Sequence, residues 1–351
     1  MSSTPQLEVL SPGAFASLQD LGRRGYRRMG VPWAGVLDAR LMRLANALAG
    51  NREDLAVIEC FDGGQAFAAR GGPLCLAVAG DAVIELDRGG ERQVLKAWRS
   101  FTLADGHTLR LRRLAHGRIA MVAVAGLLVP LVLGSASTYA RAALGGLAGR
   151  ALAAGDRLPT AAATSADSRP EQMLAAPATA SIGPIRVIAG PQADYFSEQA
   201  LADLVSGDYR VSTDADRMGI RLEGLALAHF GAREIVSDAT VSGSIQVPGN
   251  GQPIVLLADA QTAGGYPKIG TVIGPDLGRL AAFSPGQTLR FAWVKPGDGE
   301  RLAREAQART RTLLSSIRPL LPGGIDEAAL YSSNLVSGML HALGAEHRHE
   351  Q

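Results

Sequence analysis

A cadence limits what this chain can fold into. Between residues 56 and 114 the sequence runs in short apolar stretches (56–61, 74–79, 82–86, 100–103 and 108–111), parted by Gly63-Gly64, Gly71-Gly72-Pro73, Gly89-Gly90 and Asp105-Gly106. Stretches this short fit strands, and the paired glycines supply the backbone freedom that tight turns need. Short strands with turns at this spacing indicate a closed barrel or a sandwich. The 42 glycines and 5% aromatic content agree with many turns between short strands. The expected class is mostly β, with a few short helices.

The rest of the chain follows that frame. Residues 7–10 read as a strand stopped at Ser11-Pro12-Gly13, and residues 17–26 as a polar loop that continues through 30–35. Asp38 is placed to cap a helix, because Leu41, Leu44, Ala45 and Leu48 recur at helical spacing until Gly50-Asn51. Residues 119–133 are the most apolar stretch. They fall short of the ~20 residues a bilayer span needs and contain Gly126 and Pro130, which predicts two buried strands joined by a bend. A Gly/Ala-rich stretch covers 134–157. After it the composition turns to Ala, Thr, Ser and Pro.

A second half then restarts with a strand at 185–188, a helix near 197–204 capped by Ser197, a strand at 209–211 and a charged loop at 214–224. From Pro296 the pattern becomes helical with i,i+4 charge pairs, and residues 330–343 predict one more helix capped at Asp326. The expected organisation is an N-terminal barrel domain at 5–159, a linker at 160–183, a C-terminal barrel domain at 184–296 and a helical extension at 297–351. Each half opens with a strand, has a helix within its first fifty residues and continues in short strands, so the two are expected to be related by pseudo-symmetry.

Several function classes are excluded or disfavoured. A net charge of +2 over 351 residues is too balanced for a nucleic-acid surface. Cys60 and Cys75 lie in apolar, strand-like contexts and read as thiols in a reducing compartment. The N-terminus lacks a basic flank followed by an apolar core, so the expectation is a soluble, cytoplasmic protein. No G-x-x-x-x-G-K-[ST] occurs, and GGYPKIGT has the wrong glycine spacing for it. There is no G-x-G-x-x-G after a strand, no G-x-S-x-G, and no Cys/His pattern for a metal.

What remains is a polar set on loops, centred on residues 244–274. Gln246 ends a strand signal, and the apolar run 253–258 ends in Asp259, Gln261 and Thr262. Gly264 and Gly265 then precede Tyr266 and Lys268, one of only three lysines in the chain. The first loop adds Gln19, Asp20, Arg23 and Tyr26, and the charged loop adds Asp216, Arg217 and Arg221. Two arginines four apart suit a bidentate grip on a carboxylate or phosphate, or they pair with Asp214, Asp216 or Glu223. Lys268 is an electrostatic anchor, a general base if desolvated, or a solvated lysine.

These motifs also carry a resemblance. SPGAFASLQDLGRRGYRRMGVPWAGVLDARLMRLANALAGN, DRMGIRLEG at 216–224, QPIVLLAD at 252–259, Gln261-Thr262 and GGYPKIG at 264–270 resemble the biotin-dependent carboxyltransferase family. That family includes allophanate hydrolase subunit 2, the C-type subunit of 5-oxoprolinase and the Kip-type antagonists. The similarity spans roughly residues 7–296, with departures at Ala215 and Ala260, where relatives often carry Ser and Arg.

The resemblance implies two cyclophilin-like β-barrels and a heteromeric partner, the B-type subunit (allophanate hydrolase subunit 1-like), with a third subunit in the oxoprolinase type. It implies an ATP-dependent opening of 5-oxoproline to glutamate by the complex. The alternatives are carboxyl transfer to urea or another amide from carboxybiotin carried on another chain, and a non-catalytic regulator of a partner resembling the B-type subunit. On this reading Lys268, Asp259, Arg217 and Tyr266 are the catalytic candidates. Arg221, Gln246, Gln261, Thr262, Gly264, Gly265, Gln19, Asp20 and Arg23 would bind substrate, and no metal is expected.

Overall fold

The structure, a computed structural model, describes residues 4–161, 170–177 and 183–320. The first half contributes β1 (Gln6–Pro12), β2 (Phe15–Gln19), β3 (Val57–Phe61), β4 (Gln65–Arg70), β5 (Leu74–Ala79) and β6 (Ala82–Arg88). It continues with β7 (Glu91–Lys96), β8 (Arg99–Leu103), β9 (Thr108–Leu114), β10 (Ile119–Val124), β11 (Arg157–Pro159) and β12 (Gln172–Met173). The second half contributes β13 (Ile185–Ala189), β14 (Tyr209–Ala215), β15 (Gly219–Glu223), β16 (Asp238–Ala239), β17 (Ser244–Gln246) and β18 (Ile254–Leu256). After these come β19 (Ala263–Gly264), β20 (Lys268–Val272), β21 (Thr288–Leu289), β22 (Phe291–Trp293) and β23 (Arg318–Pro319). The helices are α1 (Ala39–Ala49), α2 (Glu198–Ser206), α3 (Gly274–Ala281) and α4 (Pro296–Ser315). The class is mostly β, as the cadence requires.

In the first half the wall is divided into two sheets, ordered β11-β1-β4-β9-β6-β7 and β2-β3-β10-β5-β8-β12-β23. The chain switches sheets at tight corners: β3 turns into β4 through Asp62, Gly63 and Gly64, all at positive φ. The corner between β5 and β6 is Gly80 at φ +123°, where a Cβ would sit 3.0 Å from the Ala120 backbone. Leu7, Val9, Phe67, Ile84, Leu86, Phe101, Leu109 and Val122 close the core between the sheets with no exposed surface. α1 lies on β5 and β10 through Leu41, Met42, Leu44, Ala45 and Leu48. Asp38 caps it from its side chain to the Arg40 and Leu41 amides, and Gly50 ends it in the left-handed conformation, as the spacing predicted.

In the second half one sheet runs β21-β14-β15-β18-β17-β20-β13-β22. Its two edge strands, β21 and β22, are separated in sequence by Arg290 alone. Consecutive Cα atoms are about 3.8 Å apart, so the two edges of this sheet must meet and the sheet curls into a nearly closed barrel. Closure leaves no long edge open to pairing.

Three local expectations differ from the structure. Residues 17–19 are strand, because β2 pairs with β3 from Phe15↔Phe61 to Gln19↔Val57 and buries Ser17 and Gln19. Within 119–133 only β10 is a buried strand. Gly126 at φ +66° turns the chain outward, and Leu128 and Leu131 are 52% and 66% exposed. Part of 160–183 is also ordered sheet: β12 lies between β8 and β23, and Glu171 accepts from Arg99 Nη2 at 2.5 Å and the Thr102 amide at 2.8 Å. The predicted helix at 330–343 lies outside the described residues. α4 is helical as expected, with the Arg301–Glu305 pair four residues apart at 2.7 Å. It packs on α1 and α3, so the chain beyond the second barrel returns to the first. Among the described residues no helix is long and apolar enough to cross a membrane.

Candidate active site on the second barrel

Gln246 and Lys268 are cross-strand partners on β17 and β20, beside a bulge between Ile245 and Gln246. Directly opposed residues share a face of the sheet, so the amide and the ammonium are neighbours. Both are buried, Lys268 with 1% of its surface exposed. A small antiparallel ribbon of β16 and β19 covers them, with Asp238 opposite Gly264 and Ala239 opposite Ala263. From it Asp238 Oδ2 accepts from Lys268 Nζ at 2.8 Å and from Gln192 Nε2 at 3.1 Å. Gln192 Oε1 in turn accepts from the Lys268 backbone amide at 3.2 Å. The hydrogen bonds from Lys268 and then Gln192 hold the Asp238 carboxyl down to about 2.

Gln246 is held from one side only. Its Oε1 accepts from Gln261 Nε2 at 3.2 Å, whereas its Nε2 is buried without a hydrogen-bond partner. A Cβ at Gly264 would collide with that same nitrogen, so glycine is what lets the ribbon approach. Thr240 Oγ1 donates to the Gln261 carbonyl at 2.5 Å. The first half reaches this roof through Arg27, which donates to the Thr240 carbonyl and, at 3.4 Å, to the Thr262 carbonyl. The Arg24 and Arg27 guanidiniums lie 5.1 and 5.2 Å from the Trp33 ring centre. Tyr266, two residues before Lys268, is 39% exposed, and Gly265 accepts from the Ile235 amide at 2.9 Å.

A second ionic cluster joins the two halves. Arg217 donates to Glu59 of β3, to the Gly35 carbonyl at 2.6 Å, and to both oxygens of Asp259 at 3.0 Å. Burial opposes the Arg217 charge, but Glu59 and Asp259 outweigh it and raise its pKa above the ordinary arginine value. Burial pushes the Glu59 carboxyl up, against the pull of Arg217 and of the Leu37 amide 2.7 Å away. Every donor nitrogen of Arg217 is thus used inside the protein.

The candidate residues therefore separate into three places. Lys268, Gln246, Gln261, Thr262, Gly264, Gly265 and Tyr266 gather at or beside the ribbon. Arg217 and Asp259 lie in the interdomain cluster, and Arg221 is exposed on β15 between buried Ile220 and Leu222, so the two arginines do not share a ligand. Gln19, Asp20 and Arg23 fasten the 132–138 loop. Asp20 accepts from the Ser135 and Ser137 hydroxyls at 2.6 Å and the Ala136 amide at 2.7 Å, and Gln19 donates to the Thr138 carbonyl at 3.2 Å. Arg23 donates to the Ser137 carbonyl, and desolvation lowers its pKa despite Asp20 and Asp259. Among the described residues no cluster of His, Cys, Asp and Glu is arranged for a metal.

Glu59, Gln192, Asp238, Thr240 and Arg27 belong to these networks and do not stand out in the sequence as site residues. Glu59 carries a signal: a carboxylate between Ile58 and Cys60 in an otherwise apolar strand has nowhere to go but a buried partner. Asp238 carries none, since it stands in a polar loop like many others.

Residues 29–293 match the family described as the carboxyltransferase domain, subdomain A and B. The chain is 36% identical to the C subunit of 5-oxoprolinase from Escherichia coli (strain K12) over 294 residues, covering 81% of this chain and 90% of that protein. It is 34% identical to the C subunit of 5-oxoprolinase from Haemophilus influenzae over 304 residues, covering 85% and 94%. Among solved structures it resembles the Kluyveromyces lactis urea amidolyase with a TM-score of 0.79 and 25% identity, over 89% of this chain but 20% of that much longer one.

Proposed function

This chain belongs to the family of carboxyltransferase domains with subdomains A and B, and from that membership we propose that it is the C-type subunit of an ATP-dependent 5-oxoprolinase. It would act with the B-type and third subunits to convert 5-oxoproline to glutamate. The observation that carries this reading is near end-to-end similarity to proteins of that name, 90% and 94% of their lengths. The site chemistry supports it. The reaction breaks a lactam C–N bond and adds the elements of water. A buried ammonium beside a buried amide N–H with no partner is suited to hold a carboxylate or a carbonyl oxygen on which negative charge develops. Lys268 is the electrostatic group of this site, Gln246 and Gln261 orient the substrate, and Tyr266 stands at its exposed margin.

ATP does not fit this face. Its donors are one ammonium and side-chain amides with the Asp238 carboxylate beside them, which is no cradle for a triphosphate, so we assign nucleotide contacts to the partner subunits. Arg217 and Asp259 position the site by fixing the two barrels, and we place neither on the substrate. A second reading, carboxyl transfer to urea or a similar amide from biotin carried elsewhere, is favoured by the likeness to urea amidolyase. Reconstitution separates the two. Glutamate release from 5-oxoproline that needs ATP and all subunits supports the first, while avidin-sensitive carboxylation of urea in its place overturns it.

A further inference from the structure

The Lys268–Asp238 pair is lopsided. The Lys268 side chain is 2% exposed, but the carboxylate that neutralises it is 48% exposed and belongs to a ribbon only two residue pairs long. On either side of β16 the surface is apolar: Val236 and Val241 are 92% and 42% exposed. A ribbon of two residue pairs opens at lower cost than the eight-stranded barrel beneath it. Beneath it two donors from different elements, Lys268 Nζ and Gln192 Nε2, converge on one carboxylate oxygen. Beside them Gln246 Nε2 is buried and points at no acceptor. A buried donor left unmade is costly unless something else uses it.

We propose that Asp238 is an internal stand-in for a ligand carboxylate. Lys268, Gln192 and the unused amide of Gln246 form a seat for the carboxylate of a small acid, and the β16–β19 ribbon lifts Asp238 away when that acid binds. Without the ligand, Asp238 spares Lys268 the cost of an unpaired buried charge. On entry, the acid replaces Asp238 on Lys268 and Gln192 and gives Gln246 Nε2 its acceptor. The inference rests on the reading that this face binds substrate, and it adds the class of group recognised and the contact that holds the site shut.

The test is calorimetric binding of 5-oxoproline, acetate and 2-pyrrolidinone (the lactam without its carboxylate) to the full chain, alone and in the reconstituted complex. Asp238→Asn removes the competing charge and is expected to tighten binding of an acid about tenfold or more, the equivalent of one charge-assisted hydrogen bond, with no gain for 2-pyrrolidinone. Lys268→Met is expected to abolish acid binding in either background. Hydrogen exchange at the Ile235 amide, which closes the ribbon onto Gly265, should quicken in Asp238→Asn while the barrel strands stay protected. If wild type binds or turns over 5-oxoproline and Asp238→Asn gains nothing, the stand-in falls and the oxoprolinase reading survives. If Asp238→Asn tightens acetate but not 5-oxoproline, the carboxylate seat stands and the oxoprolinase reading fails. Absence of acid binding by every variant, alone and in the complex, overturns the inference.

Discussion

Two buried cations, Arg217 and Lys268, lie in one barrel and do opposite things. Arg217 spends all its donors on Glu59, Asp259 and the Gly35 carbonyl, and its partners are themselves buried. Lys268 has a partner on the surface and a neighbouring donor with no acceptor. The first is a closed network that ties β3 of one half to the 217–259 region of the other. The second is an open one, and unspent donors are what a ligand can use. A buried charge therefore points to structure or to chemistry according to whether its surroundings are complete.

The largest expected effect breaks the closed network. Arg217→Met leaves Glu59 and Asp259 buried without a counter-charge and should cost about 3–5 kcal/mol in denaturant unfolding. A folded, normally stable variant that lacks only activity would instead move Arg217 into the site. Glu59→Gln is smaller, because an amide still accepts from the Leu37 N–H and one carboxylate remains on Arg217. A loss of about 1–3 kcal/mol is expected, with activity of the remaining folded complex preserved.

Lys268→Met should do the reverse. Its melting temperature is expected to fall by only a few degrees, less than that of Arg217→Met, since Asp238 is free to hydrate, while turnover in the complex falls ~100-fold or more. The sign of its pH dependence sharpens the contrast. The folded Asp238 carboxyl lies at about 2, below its unfolded value of ~3.9, so what Lys268 adds is fully present above about pH 4. It is lost as pH falls towards 2, so the unfolding curves of wild type and Lys268→Met should differ at neutral pH and converge in acid. A difference that grew in acid would break the assignment.

Much of this is readable from residues alone because it is local. Asp38, Ser197 and Gly50 act on amides within a few positions of themselves, and the glycine pairs turn the chain where they stand. The stretch 244–270 carries both Gln246 and Lys268, but β18 and β19 intervene between their strands, so that they face each other is decided by the sheet order β18-β17-β20. The pairing of Arg217 with Arg221 fails for a local reason. Arg217 sits before β15 and turns inward, while Arg221 alternates outward between Ile220 and Leu222.

The sequence by itself determined the mostly β class, the caps and turns, the family and the stretch where Lys268 sits, since each rests on periodicity or neighbours in the chain. Only the tertiary structure decided which cation is sealed and which is open. That depends on Glu59 meeting Arg217 across 158 positions and on Asp238 meeting Lys268 across 30. Ion pairs are set by through-space distance and solvent exclusion, and chain spacing encodes neither until both barrels have closed.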